Sequence, residues 1–297
     1  MTANNTTSTQ MRYIGPWKLL GLRIIQHRGL MIGGGILVTI LLVAIFAPFL
    51  TDHDPFKQSL VGRLKPPMWM DGGSAKHILG TDHLGRDYFA RLLHGARVSL
   101  LIGITSALIS GIIGTFLGVI AGYFGGRVDT AVMFLVTVKL SIPTILVALA
   151  IVQLVGGSLQ VVILVLGFLL WHQFAVVTRA TTMQIRQMDY IIAAETIGSS
   201  TPRILLTEVL PNVMNQIIVV LTLTMASAIL IEAALSFLGV GVQPPTPSWG
   251  IMISEGKTQL FFKPWLVMIP GVALLFVVLA INLVGDGLRD VTAPEKR

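Results

Sequence analysis

The chain has 297 residues, of which 54% are hydrophobic and only 12% charged; it carries no cysteine and a formal net charge of +7. A composition this apolar and charge-poor excludes an ordinary water-soluble domain and places the chain in lipid. The lack of cysteine excludes disulfides, thiolate metal sites and a cysteine nucleophile. The basic residues are dispersed around apolar runs, without the single stripe and interleaved aromatics of a nucleic-acid surface, so no nucleic-acid partner is expected.

In chain order, the Asn- and Thr-rich first ten residues read as disordered. Residues 1–29 form an N-terminal segment in which Arg12, Lys18, Arg23 and Arg28 precede the first apolar run, favouring a cytoplasmic N-terminus. Six runs are long enough to cross about 30 Å of hydrocarbon, which takes roughly 20 helical residues. They cover 30–50, 98–121, 131–155, 159–177, 213–235 and 265–284. The first has no small-residue cleavage site after it and reads as a retained anchor, not a signal peptide. The fold class expected is therefore an all-α polytopic membrane protein with six transmembrane helices.

Residues 51–97 form the longest external segment. There Phe89, Leu92, Leu93 and Ala96 fall at helical spacing between Arg86, Asp87, Arg91 and Arg97, predicting an interfacial amphipathic helix over 84–97. Residues 98–290 form a five-helix core interrupted by a cytoplasmic loop at 179–212, and 291–297 form a cytoplasmic tail. Six crossings place the loop, the tail and the N-terminus on one side.

Within the core, Gly111, Gly114, Gly118 and Gly122 lie along the second span, where small residues allow helices to approach closely. Pro143 and Pro270 interrupt apolar runs and predict kinks. Lys139 and Glu232 are the two intramembrane ionisable residues. Each is costly in lipid, so both are expected to face the bundle interior, an aqueous cavity or an interface. Glu232, Pro143 and Lys139 are the candidates for a pore or gate.

The most informative polar interruption is MDYIIAAETIGSSTPRILLTEVLPN, residues 188–212. Ala193 and Ala194 favour helix with a thin side-chain layer, and Gly198 lets the backbone turn at a helix end where a β-carbon would clash. Ser200 or Thr201 can cap a second short helix with Pro202 at its first position. The spacing resembles the EAA loop of ATP-binding-cassette importer permeases: Glu-Ala-Ala, three residues, Gly, nine residues, Ile, one residue, Leu-Pro. Two departures stand out, since the family's Glu falls on Ile192 and its Ile on Glu208.

The resemblance extends along the chain. HILGTDHLGRDYFARLLHGARVSL at 77–100, LSFLGVGVQPPTPSWGIMI at 235–253, PWLVMIPG at 264–271 and NLVGDGLRD at 282–290 are similar to strings of the second permease subunit of dipeptide, oligopeptide and nickel importers. This resemblance implies the type I ABC importer permease fold in a bacterial cytoplasmic (inner) membrane. It implies a homologous second permease, two cytoplasmic ATP-binding subunits and an extracytoplasmic substrate-binding protein as partners. ATP and Mg²⁺ would sit on the ATP-binding subunits, with no cofactor in this chain. The coupling residues implied are Tyr190, Ala193, Ala194, Glu195, Gly198, Arg203, Leu210 and Pro211. Dipeptide, oligopeptide, glutathione, nickel-chelate and antimicrobial-peptide systems share the strings, so the cargo stays open.

Chemistry within the chain is not expected. His77, Asp82, His83 and Asp87 could ligate a metal, but they read as hydrogen-bonding groups of a Gly-rich turn. Gly250 to Thr258 has five residues between its glycines where a phosphate-binding loop has four, and neither HExxH nor GxSxG occurs. No catalytic or metal-binding residue is assigned. The rival class, a secondary transporter, would have only Lys139 and Glu232 for ion coupling.

Overall fold

In the computed structural model, which describes residues 21 and 23–292, the chain is helical, with turns and no β-strand among the described residues. The first ten residues, expected to be disordered, Arg12 and Lys18 before the first span, and residues 293–297 of the expected tail lie outside the described residues. Among the described residues five helices are long and apolar enough to cross a membrane, and a sharply bent helix pair makes six if it counts as one span.

Helix α1 is Arg28–Leu50 and α2 is Tyr88–Phe124. At 1.5 Å per residue, the 37 residues of α2 span about 55 Å, well beyond the hydrocarbon. Asp87 starts this helix, its Oδ1 accepting the Ala90 N–H at 2.7 Å. The amphipathic helix expected over 84–97, leading into the second span, starts at Tyr88 and continues into that span as the first part of α2. Its Arg91 is buried, because acidic partners are brought to it from elsewhere in the fold.

The expected third span divides into α3 (Gly126–Ser141) and α4 (Thr144–Val155), bent by 83° at Ile142 and Pro143. Proline lacks the N–H that would continue the ladder, and its ring clashes with the preceding turn. Pro270 behaves differently. It is buried within α11 (Trp265–Thr292), which continues as one helix. The fourth span is α5 (Leu159–Leu169) running into α6 (Trp171–Arg186).

Helix α2 is the central post, packed on α6, α5, a helix at Leu210–Phe237 (described below as α9) and α1. The glycine row carries the α2–α6 contact. A β-carbon at Gly114 would lie 2.1 Å from the Trp171 carbonyl oxygen, and one at Gly118 only 2.0 Å from Thr178 Oγ1. The backbones approach this closely because no side chain intervenes. Large apolar side chains such as Ile112 (72% exposed), Phe116 and Phe134 are left uncovered by the rest of the chain, as in a protein whose surroundings are apolar.

Candidate coupling loop and buried polar sites

Beyond α6 the chain turns through Met188 into α7 (Asp189–Thr196). This helix ends in a Schellman motif: Ser199 N–H bonds to the Ala194 carbonyl and Gly198 N–H to the Glu195 carbonyl, each at 3.0 Å. Gly198 has φ +83°, yet a β-carbon there would meet nothing within 4 Å. The clash expected at this glycine is absent; the requirement is one of backbone conformation.

The second short helix, α8 (Thr201–Ile204), has Ser200 at its N-cap without a side-chain capping bond, and Pro202 is its second residue, not its first. It is not a separate element. A π turn at Leu205–Val209 joins it to α9 (Leu210–Phe237), giving one helix from Thr201 to Phe237. Pro211 explains the irregularity: without an N–H, it cannot continue the ladder at this turn. The side-chain amide of Asn212 then donates to the Glu208 carbonyl at 2.6 Å.

One buried cluster clamps these pieces together. Val119 and Tyr123 of α2, Ile185 of α6, Ile191 of α7, Ile204, Val209 and Val213 form its core, with Ala194 packed against it. Tyr123 donates from its hydroxyl to Glu195 Oε1 at 2.8 Å, and the Arg186 guanidinium lies 5.3 Å above the Tyr123 ring. The opposite face is open. Tyr190 (41% exposed), Ile192 and Ile197 (81%) present apolar area beside exposed Ala193, Glu195 and Arg203. Leu210 is half-buried and Pro211 exposed at the start of α9.

Glu232 is fully buried on α9 and accepts from Ser236 Oγ at 2.8 Å and Ser248 Oγ at 2.9 Å, both through Oε1. Ser248 also caps α10 (Trp249–Gly256), accepting the Ile251 N–H. The carboxyl thereby ties the end of α9 to the start of α10. Gly250 permits the approach, since a β-carbon there would lie 2.8 Å from Ala233 Cα and 3.2 Å from Glu232 Oε2. Lys139 lies elsewhere: half-buried on α3, it donates to Thr144 Oγ1 at 2.7 Å and so bridges the break at exposed Pro143. No bond between Glu232 and Lys139 occurs, and each satisfies a different helix junction.

An ion network escaped the sequence reading. Buried Arg86 donates from Nη2 to both Glu255 oxygens, at 3.1 and 3.0 Å, and from Nε to Asp82, while Arg91 donates to Glu255 Oε2 at 2.9 Å. Two cations and two anions thus neutralise one another where the external segment, α2 and α10 meet. Arg86 and Arg91 fit the polar side of an amphipathic helix equally well, and only Glu255, 164 residues beyond Arg91, discloses the burial. Asp82 also accepts from the Leu84 and Arg86 N–H groups, and His77 Nδ1 lies 2.8 Å from Asp87 Oδ2, as hydrogen-bonding groups of the Gly-rich turn.

Comparison with known proteins follows the same outline. Residues 114–297 match the family model of the binding-protein-dependent transport system inner membrane component, and residues 15–67 match the N-terminal TM domain of oligopeptide transport permease C. The chain is 44% identical over 264 residues to the di/tripeptide transport system permease protein DppC of Pseudomonas aeruginosa, covering 88% of this chain and 87% of that one. It is 35% identical over 295 residues to the oligopeptide transport system permease protein OppC of Bacillus subtilis, covering 99% and 95%. Among solved structures it is similar in fold to the inward-facing MetNI methionine ABC transporter, with a TM-score of 0.56 at 20% identity over 68% of this chain and 97% of that one. With a family model spanning its core and relatives aligned along nearly its whole length, the chain belongs to the binding-protein-dependent transport permeases, as a multi-pass membrane subunit of an ABC transporter and not itself an enzyme.

Proposed function

We propose that this chain forms half of the translocation path of an ATP-driven importer of short peptides. It would pair with a homologous permease, rest on two cytoplasmic ATP-binding subunits that hold ATP and Mg²⁺, and receive cargo from an extracytoplasmic binding protein. The observation that carries this reading is the loop at 188–212. It presents an exposed apolar face at Tyr190, Ile192 and Ile197, while its inner face is clamped to α2 and α6 by a buried cluster. A surface of that kind on a polar loop suits a protein partner. Because α8 continues into α9, a push on the loop moves a transmembrane helix as one lever. In the resulting cycle, ATP closes the ATP-binding pair, the loop follows, and the spans switch between inward-facing and outward-facing arrangements.

The peptide cargo is supported by the names of the relatives, whose di/tripeptide and oligopeptide systems bracket the size range. The loop, both termini and the ATP-binding subunits would lie on the cytoplasmic side of a bacterial inner membrane. Since the sequence has no cysteine, single cysteines at Ser74 and Ser200 read that orientation directly. A membrane-impermeant thiol reagent applied to intact cells should label Ser74→Cys and spare Ser200→Cys; the converse would overturn it.

Co-expression with candidate ATP-binding subunits tests the assembly. The subunits should co-purify, and hydrolysis should rise when a peptide-loaded binding protein is added. Uphill uptake by this chain alone on a proton or sodium gradient would instead make it a secondary transporter. Stimulation only by a nickel-chelate or glutathione receptor would replace the peptide cargo.

A further inference from the structure

We propose that His53, His77 and Asp87 form a binding site for one divalent transition-metal ion of the zinc class, at the end of α2 remote from the coupling loop. One nitrogen from each histidine and one Asp87 oxygen lie within 4.8 Å of one another. The three residues come from separate pieces of chain. His53 follows the end of α1, its N–H bonded to Thr51 Oγ1 at 3.2 Å. His77 closes a tight turn, its N–H bonded to the Ser74 carbonyl at 3.0 Å, and Asp87 is the N-cap of α2.

The geometry is close to what an ion needs. His77 Nδ1 stands 2.8 Å from Asp87 Oδ2, and the two imidazole rings are 5.2 Å apart between centroids. A tetrahedral ion with bonds of about 2.0–2.2 Å spaces its ligands about 3.4 Å apart. Small side-chain rotations therefore suffice, opening the His77–Asp87 pair and drawing in His53. Asp87 is held for the task, because its other oxygen is committed to the Ala90 N–H. The site is recessed but reachable: the Asp87 side chain is 5% exposed and that of His77 16%. Water would complete the coordination.

The donor set decides the class of ion. Two imidazole nitrogens and one carboxylate suit Zn²⁺ and its late first-row neighbours, whereas Ca²⁺ and Mg²⁺ take oxygens. Asp82, His83 and Glu255 are equally close together. That second cluster cannot take a dication, since Arg86 and Arg91 already occupy its carboxylates. By contrast, the ion-pair partner of Asp87 among the described residues is His77 alone. Binding would replace the direct His77–Asp87 contact with two metal bonds and staple the segment after α1 to the head of α2.

The test uses the full chain, tag-free in detergent and stripped with a chelator, titrated with ZnCl₂ by calorimetry and followed by thermal unfolding. One Zn²⁺ should bind per chain and raise Tm. His53→Ala should weaken that binding at least about tenfold and abolish the Tm rise, while His83→Ala and His94→Ala retain both and Mg²⁺ produces neither. His53→Ala is the decisive variant, because His77→Ala also breaks the bond to the helix cap and could fail to fold. Equal zinc binding by wild type and His53→Ala, or no binding by wild type tighter than a Kd on the order of 0.1 mM, would overturn the proposal.

Discussion

The Tyr123 hydroxyl donates to Glu195 Oε1 at 2.8 Å, joining the end of the central helix α2 to the short helix α7 that carries the exposed apolar face. Tyr123 is almost fully buried and its ring lies under Arg186, so this bond has a fixed origin on the membrane side. Tyr123→Phe keeps the ring and deletes the bond. Hydrogen bonds to a charged group contribute about 1.5–3 kcal/mol, less where the acceptor is exposed as Glu195 is. The variant should assemble with the ATP-binding subunits but lose roughly twofold to tenfold of receptor-stimulated hydrolysis, as measured in liposomes. An unchanged coupling ratio would remove Tyr123 from the transmission path.

At Gly198 the demand is on the backbone. With φ at +83° and open space around the missing β-carbon, Gly198→Ala should cost about 1–2 kcal/mol of local stability through conformation alone. Gly198→Leu should cost about as much locally and additionally place an apolar group on the docking face. Peptide uptake and ATPase association should therefore fall further in Gly198→Leu than in Gly198→Ala. Ile192→Glu introduces the residue the EAA pattern carries, at a position 51% exposed, and should transport at a near-normal rate.

Glu232 joins α9 to the cap of α10 through Ser236 and Ser248. Glu232→Gln keeps the acceptor and the size, so uptake of cationic and anionic peptides should fall modestly and in parallel. Glu232→Ala leaves two buried hydroxyls without their acceptor and should lower stability by about 1–3 kcal/mol, seen as a reduced Tm in detergent. A loss confined to peptides with a free amino terminus would instead make Glu232 a ligand contact.

The Arg86–Glu255–Arg91 network predicts a larger effect. Glu255→Gln would leave two buried guanidiniums facing only Asp82, and breaking a buried pair from one side typically costs about 3–5 kcal/mol. We expect poor accumulation of the variant in membranes and a Tm well below that of Glu255→Asp, compared by fluorescence-detected unfolding. Equal Tm values for wild type and Glu255→Gln would mean that the network is structurally neutral.

The class, the spans and the loop were legible in the amino-acid order because each rests on local rules. Apolar run length against bilayer thickness marks the crossings, Pro143 marks a break because its ring and missing N–H disfavour continuation of the helix, although α11 runs on through Pro270, and Gly198 marks the end of α7 because few other residues adopt positive φ. The continuity of α8 into α9 was not legible: Leu210-Pro211 reads as a boundary, yet a π turn absorbs the missing N–H and the helix runs on. Nor could local pattern separate Arg91 on a wet helix face from Arg91 in the interior. That outcome depends on whether an anion arrives, and Glu255 arrives from another helix only when the chain has folded. The same holds for His53 beside His77 and for Glu232 beside Ser248. Spacing along the chain determines what each segment is, whereas the partner of a buried charge is decided by long-range packing, because a charge in a low-dielectric interior is costly unless distant groups are brought to it.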